Sequence, residues 1–185
     1  MNAEDLRVKR TRAALHKALV ELLIERDYGD VSVRAITKRA QVGYQTFYRH
    51  YQSQQDLLEA VFGEILEKFQ EVLLPPTSPE VVEQNTINLY RFAHQQADLL
   101  RALLRSPMAD QLMQPRIFAF ALAEARRTLG ASHLPDELVA YHFAMSTTSL
   151  IRWWLENDMP YPPDEMGEYV NEILIRPIFN RRAKD

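Results

Sequence analysis

The sequence has no cysteine, only five glycines, and no apolar stretch approaching the ~20 residues of a membrane span. The first absence excludes disulfides, thiolate metal sites and thiol redox sensing. Scarce glycine, no Asn-Gly or Asp-Gly between apolar runs, and no sustained apolar/polar alternation argue against strands and hairpins. The opening MNAEDLRVKR lacks the basic start and apolar run of a secretory leader, so a cytoplasmic protein is expected. Catalytic signatures are missing too: there is no HExxH, no glycine-rich phosphate loop and no nucleophile elbow. None of the five histidines follows a Glu by three residues, as the di-iron motif of helical bundles requires. Catalysis, a cofactor and a bound metal are therefore not expected.

What is present is an ordinary globular composition over 185 residues, enough for one domain or two small ones. The net charge of −3 conceals an asymmetry. Residues 1–54 carry ten Lys/Arg against six Asp/Glu, a net of +4, whereas residues 55–185 carry twelve against nineteen, a net of −7. In the field of a polyanion only the front end can dock.

Nearly everything reads as helix. Leu15, Leu19, Leu22 and Leu23 fall at helical spacing in a first helix over 6–26, which Tyr28-Gly29-Asp30 closes. Ser32 caps a second helix over 33–40, expected to bury Val33, Ile36 and Ala40. Gln41-Val42-Gly43 makes a turn, and a third helix follows over 44–50. A fourth starts after Ser53, which stands three residues before Asp56 as in a capping box, and runs to about Leu73. Pro75 and Pro76 break the chain, and Ser78 with Pro79 restarts it. Helices are expected at 79–95, 98–105, 108–129 (kinked or split at Pro115), 136–157 and 163–180. The expected fold is all-α, with about nine helices.

The short third helix holds most of the chemistry. It carries Tyr44, Gln45, Thr46, Tyr48, Arg49 and His50 and has too little apolar surface for a core element. Its side chains suit DNA: hydrogen-bonding groups for base edges, hydroxyls and cations for phosphates. Too short to be stable alone, it must be braced by the first and fourth helices. Phe47 is expected to face inward as its anchor, with Tyr44, Gln45 and Tyr48 outward at base edges. Arg34 could reach guanine or a phosphate, and Lys38, Thr46 and His50 suit the backbone. Arg7, Lys9 and Arg10 could add charge.

The segment from Arg10 to Phe62 resembles the N-terminal DNA-binding domain of TetR/AcrR-type transcriptional regulators. The match rests on helix, Gly turn, S-V-R-x-I, a short turn, then T-F-Y-x-H-Y and D-L-L at matching distances. The resemblance implies a helix-turn-helix DNA-binding domain over 1–54 and an effector-binding, dimerising domain over 55–185. It also implies a double-stranded DNA operator, a homodimer, an unknown small organic effector and no membrane. Three departures stand out. Gln41 occupies a turn position usually held by Gly, Gly43 replaces a Ser or Thr cap, and Gln54 stands where many members place a phosphate-binding Lys.

The helix over 136–157 is apolar or small nearly all round, so it must face more than one neighbour. Ser146-Thr147-Thr148-Ser149 allows close approach of another helix. Met166, Tyr169, Val170, Ile173, Leu174 and Ile178 offer a second stripe, and two such helices from each of two chains would make a four-helix dimer core. Two heads on half-sites about one helical turn apart imply a palindromic operator. Candidate effector-pocket residues are Tyr90, His94, Phe120, His142, Met145 and Trp153, with Phe118 and Leu122 as further walls; aromatics, Met and a few polar groups suit a flat or amphipathic molecule. The expected function is a sequence-specific transcriptional regulator, a repressor that an effector releases. The alternatives are a constitutive or protein-responsive DNA-binding regulator, or a helical protein-interaction module.

Overall fold

The computed structural model describes residues 3–73, 78–105, 107–128 and 134–180, and every regular element among them is helical. In chain order these are α1 (Ala3–Glu25), α2 (Val33–Ala40), α3 (Tyr44–Tyr48), α4 (Gln54–Val72), α5 (Pro79–Gln95), α6 (Ala97–Leu104), α7 (Pro107–Thr128), α8 (Asp136–Glu156), α9 (Pro163–Val170) and α10 (Arg176–Asn180). The chain forms two compact units, Met1–Glu67 with Asp98–Asp110, and Lys68–Ala97 with Gln111–Asp185.

In the first unit α1 packs on α2 and α2 on α3. The leucines spaced along α1 are the ones that pack: Leu15, Leu19, Leu22 and Leu23 are buried, with Ile36 from α2, Phe47 from α3, and Leu57, Leu58, Val61 and Phe62 from α4. α2 has the bounds expected of it but a different inner face. Thr37 is buried beside Ile36, whereas Val33 and Ala40 are only half-buried. The expected glycine cap of α1 is corrected. α1 ends at Glu25, and Tyr28–Asp30 forms a separate 3-10 turn in which Gly29 has no positive φ. Half of the expected capping box forms: Ser53 Oγ accepts from Asp56 N at 3.1 Å, while Asp56 accepts from the N–H of Gln52, one residue before the cap, at 2.9 Å.

In the second unit α5 packs along α9. α7 and α8 meet through small residues: Ala121 and Ala125 cluster with Val139, Ala140 and Ala144. Trp154 is fully buried and its indole N–H donates to Tyr161 O at 3.0 Å. α7 continues as one helix through Pro115 rather than splitting there. The last helix, expected as one span over 163–180, is interrupted by a π-helical turn at Asn171–Ile175. Met166, Val170 and Leu174 from the expected second stripe are buried in their own unit, so Tyr169 and Ile173 alone remain well exposed. Residues 74–77 of the proline break lie outside the described residues; Pro79 does begin α5, and Ser78 precedes it without a side-chain cap bond.

Candidate nucleic-acid interface

The α2–turn–α3 unit is built from local chemistry. Ser32 Oγ accepts from Ala35 N at 3.2 Å and opens α2. Gln41 closes it in the left-handed region at φ 54 and ψ 39, with its N–H toward Lys38 O. A non-glycine residue there carries about 1–2 kcal/mol of strain. Val42 N then bonds Thr37 O at 3.0 Å, so the turn satisfies two carbonyls at the end of α2. Gly43 caps α3 without a side-chain bond. α3 itself is two residues shorter than expected, ending at Tyr48, although His50 N and Tyr51 N still bond Phe47 O.

The faces of α3 separate as its sequence predicts. Phe47 is fully buried, while Tyr44 and Tyr48 are 55% and 48% exposed. Their hydroxyls meet at 3.2 Å and their rings stack edge to face with centroids 5.2 Å apart. That hydrogen bond is the leading cause pushing the Tyr48 phenol above its ordinary range. Gln45 and Arg49 are exposed, and Thr46 and His50 half-buried. Burial first, then the charges of Arg12 and Arg49, hold the His50 imidazole below its ordinary range.

The cations divide into engaged and uncommitted. Arg39 is spent on α1, bonding both Glu25 oxygens at 2.8 Å and Glu21 at 3.3 Å. Arg12 donates to Tyr51. Arg34, Lys38 and Arg49 are exposed, and their charged groups have no ion-pair partner among the described residues. Gln54 has a structural contact, donating to Tyr28 O at 3.3 Å. The result is an exposed helix with paired phenols, an amide and three uncommitted cations, inside the net-positive first 54 residues.

Sequence reasoning missed one group of residues. His16 and Tyr51 are both buried, with His16 Nε2 2.6 Å from the Tyr51 hydroxyl. Arg12 and His16, four apart on α1, were the available signal, but their partners lie 35 and 39 residues away along the chain.

Residues 15–61 match the family described as bacterial regulatory proteins, tetR family. This segment, about a quarter of the chain, carries the likeness to the tetR family. Over 179 residues it is 25% identical to an uncharacterized HTH-type transcriptional regulator, YxbF, of Bacillus subtilis (strain 168), covering 92% of this chain and 46% of that protein. The chain thus spans about half the length of the curated relative it matches. Among solved structures, native NalD of Pseudomonas aeruginosa, the secondary repressor of the MexAB-OprM multidrug efflux pump, aligns with a TM-score of 0.72 at 16% identity, over 94% of this chain and 96% of that one. The transcriptional regulator FadR from Bacillus subtilis, solved in complex with stearoyl-CoA, aligns with a TM-score of 0.68 at 19% identity, over 88% and 97%. These structures establish the fold. The expectation of a non-catalytic protein agrees with the regulatory character of the family.

The expected effector residues fall into four places in the second unit. Tyr90 and His94 both approach the Trp154 ring, at 5.4 and 6.4 Å between centroids. Tyr90 is fully buried, which pushes its phenol up, and its hydroxyl has no partner among the described residues; His94 is exposed. Phe120 belongs to a separate aromatic cluster with Phe69 and Phe92. Met145 is half-buried against the alanine cluster of α7 and α8. His142 and Trp153 are exposed on α8, as are Leu138 and Tyr141. No helix of the described residues is long and apolar enough to cross a membrane.

Proposed function

We propose that the protein is a cytoplasmic, sequence-specific DNA-binding transcriptional regulator: a homodimer acting as a repressor, released from a palindromic operator by a small organic effector. The observation carrying this reading is α3, anchored by Phe47 and presenting Tyr44, Gln45 and Tyr48 outward beside uncommitted Arg34, Lys38 and Arg49. In this reading Tyr44, Gln45, Tyr48 and Arg34 meet base edges, while Lys38, Thr46, Arg49 and His50 meet phosphates. Residues 1–54 form the DNA-binding domain and 55–185 the effector-binding and dimerising domain.

Dimerisation is supported by exposed apolar residues on the helices that end the chain. Leu138, Tyr141 and Trp153 on α8 are 58%, 56% and 44% exposed, and Ile173 in the π turn is 61% exposed. Covering them with a second copy also supplies the second reading head that a genomic site requires. Tyr90, with its unpartnered hydroxyl beside Trp154, is the strongest effector contact. A tenfold change in operator affinity requires about 1.4 kcal/mol of differential effector binding.

Selection of duplexes from a random-sequence pool, followed by footprinting, tests the reading. A protected, two-fold symmetric site that small molecules weaken is the expected result; protection that no candidate effector alters leaves a constitutive regulator, and no selected duplex removes DNA binding altogether. His50 gives a finer test. In the free chain its lowered pKa makes stability fall as pH drops below about 6.5, because the unfolded chain takes up the proton first. A phosphate against His50 reverses that preference, so duplex affinity should rise over the same pH range by at most about tenfold per unit. Replacing His50 with Gln should flatten this rise in a binding titration repeated at each pH.

A further inference from the structure

We propose that His16 and Tyr51 are positioning residues for the recognition helix, joined with Arg12 in a directed line of hydrogen bonds, with the Glu64 carboxylate beside His16, that fixes the end of α3 against α1 and α4. The inference rests on the DNA-binding reading above and adds to it a mechanism by which the reading surface is held in register. All four residues belong to the first unit.

Distances and proton inventory give the line its direction. Arg12 Nε, which can only donate, lies 3.1 Å from the Tyr51 hydroxyl oxygen. The guanidinium carbon also sits 5.8 Å from the centroid of the Tyr51 ring. Tyr51 has one hydrogen of its own to place, and its other polar neighbour is His16 Nε2 at 2.6 Å. Nε2 therefore accepts, which puts the imidazole proton on Nδ1. Nδ1 lies 2.9 Å from Glu64 Oε1, so its N–H faces the carboxylate although the geometry is bent away from a straight N–H···O bond. The opposite tautomer would turn the Nδ1 lone pair toward a carboxylate and leave the buried Tyr51 hydrogen without an acceptor. A buried donor left without an acceptor is unfavourable. The sequence of donation runs Arg12 to Tyr51 to His16, and the Nδ1 proton faces the Glu64 carboxylate.

Its location gives the line a role. α3 has five residues and cannot hold its own orientation. Phe47 anchors it through apolar contact, which resists withdrawal but specifies rotation weakly. Tyr51 follows one turn later on the same side, its N–H bonded to Phe47 O at 2.9 Å and its ring 5.9 Å from that of Phe47. A buried hydrogen bond there is directional, so the pair fixes both depth and rotation of the helix that carries Tyr44, Gln45 and Tyr48. Recognition geometry must be held to about 0.5 Å and 10–20° by such supporting bonds.

The test uses the full chain and a duplex that the native chain selects from a random-sequence pool. Tyr51→Phe and His16→Leu should each weaken binding about tenfold, and the double variant should weaken it by clearly less than the sum of the two losses, because the Tyr51–His16 bond is removed in all three. His16→Gln, whose carbonyl oxygen replaces Nε2 as acceptor, should restore affinity to within about threefold of native. The slope of affinity against salt should stay at the native value, since no phosphate contact changes. Nitrogen-15 spectra of the native chain should show the proton of His16 on Nδ1 at neutral pH. Native-like binding by Tyr51→Phe, a Gln variant as weak as the Leu variant, losses that add in the double variant, a changed salt slope, or a proton on Nε2 would each overturn the inference while DNA binding stands. Failure of the native chain to retain any duplex overturns the DNA-binding reading, and this inference with it.

Discussion

Replacing Tyr44 and Tyr48 together with Ala is expected to lower duplex affinity at least about 30-fold, because good base-edge contacts are worth about 1–3 kcal/mol each. The thermal midpoint should stay within about two degrees, since exposed substitutions usually change stability by less than 0.5 kcal/mol. The two tyrosines are about half exposed and their closest ring and hydroxyl contacts are largely with each other. Tyr48 also edges onto Phe47 at 5.2 Å, which accounts for the small loss allowed. Fluorescence anisotropy with a selected duplex, beside thermal unfolding by circular dichroism, separates the two quantities. Affinity that survives the double substitution would remove α3 as the reading element. A midpoint that collapses would instead make the tyrosines part of the core.

Gly167→Ala should destabilise the second unit by about 2 kcal/mol, even though Ala ordinarily favours a helix over Gly by about 1 kcal/mol. The reversal comes from contact with α5. A Cβ at residue 167 would lie 2.8 Å from Ile87 Cα and 3.0 Å from Ile87 Cγ1. A backbone atom cannot rotate aside, so α5 and α9 must separate. That separation also disturbs the bonds that join these segments, Asn171 Nδ2 to Glu83 O at 3.2 Å and Arg176 to the Glu83 carboxylate at 2.7 Å. The thermal midpoint should fall by about 4–8 °C. Gly29→Ala is the control: a Cβ there meets nothing within 4 Å, and its midpoint should not fall. A Gly167→Ala midpoint equal to native would show that the two helices have room to adjust.

Periodicity and capping rules made the elements legible because they act within a few residues. Ser32 caps α2 and Pro79 starts α5 where local chemistry places them. Phe47 faces inward because α3 offers no other apolar anchor, and the tyrosines flanking it are left outward. The strained turn at Gln41 was also readable, because a residue in place of the usual glycine still has to satisfy the end of α2.

Long-range choices were not legible. Trp153 and Trp154 are adjacent in sequence, yet one is 44% exposed and the other fully buried against Tyr90. Successive residues on a helix point about 100° apart, and only the position of α5 decides which ring goes inside. Likewise Met166, Val170 and Leu174 read equally well as a dimer stripe or a core stripe until α5 occupies that face.

Local sequence therefore determined the all-helical fold, the helix-turn-helix spacing and the outward chemistry of α3, since propensity, capping and charge are properties of short segments. The tertiary structure alone decided that His16 meets Tyr51, that Gln54 ties to Tyr28, and that Gly167 must remain glycine. Each depends on helices brought together across tens of residues, and no local pattern encodes that approach.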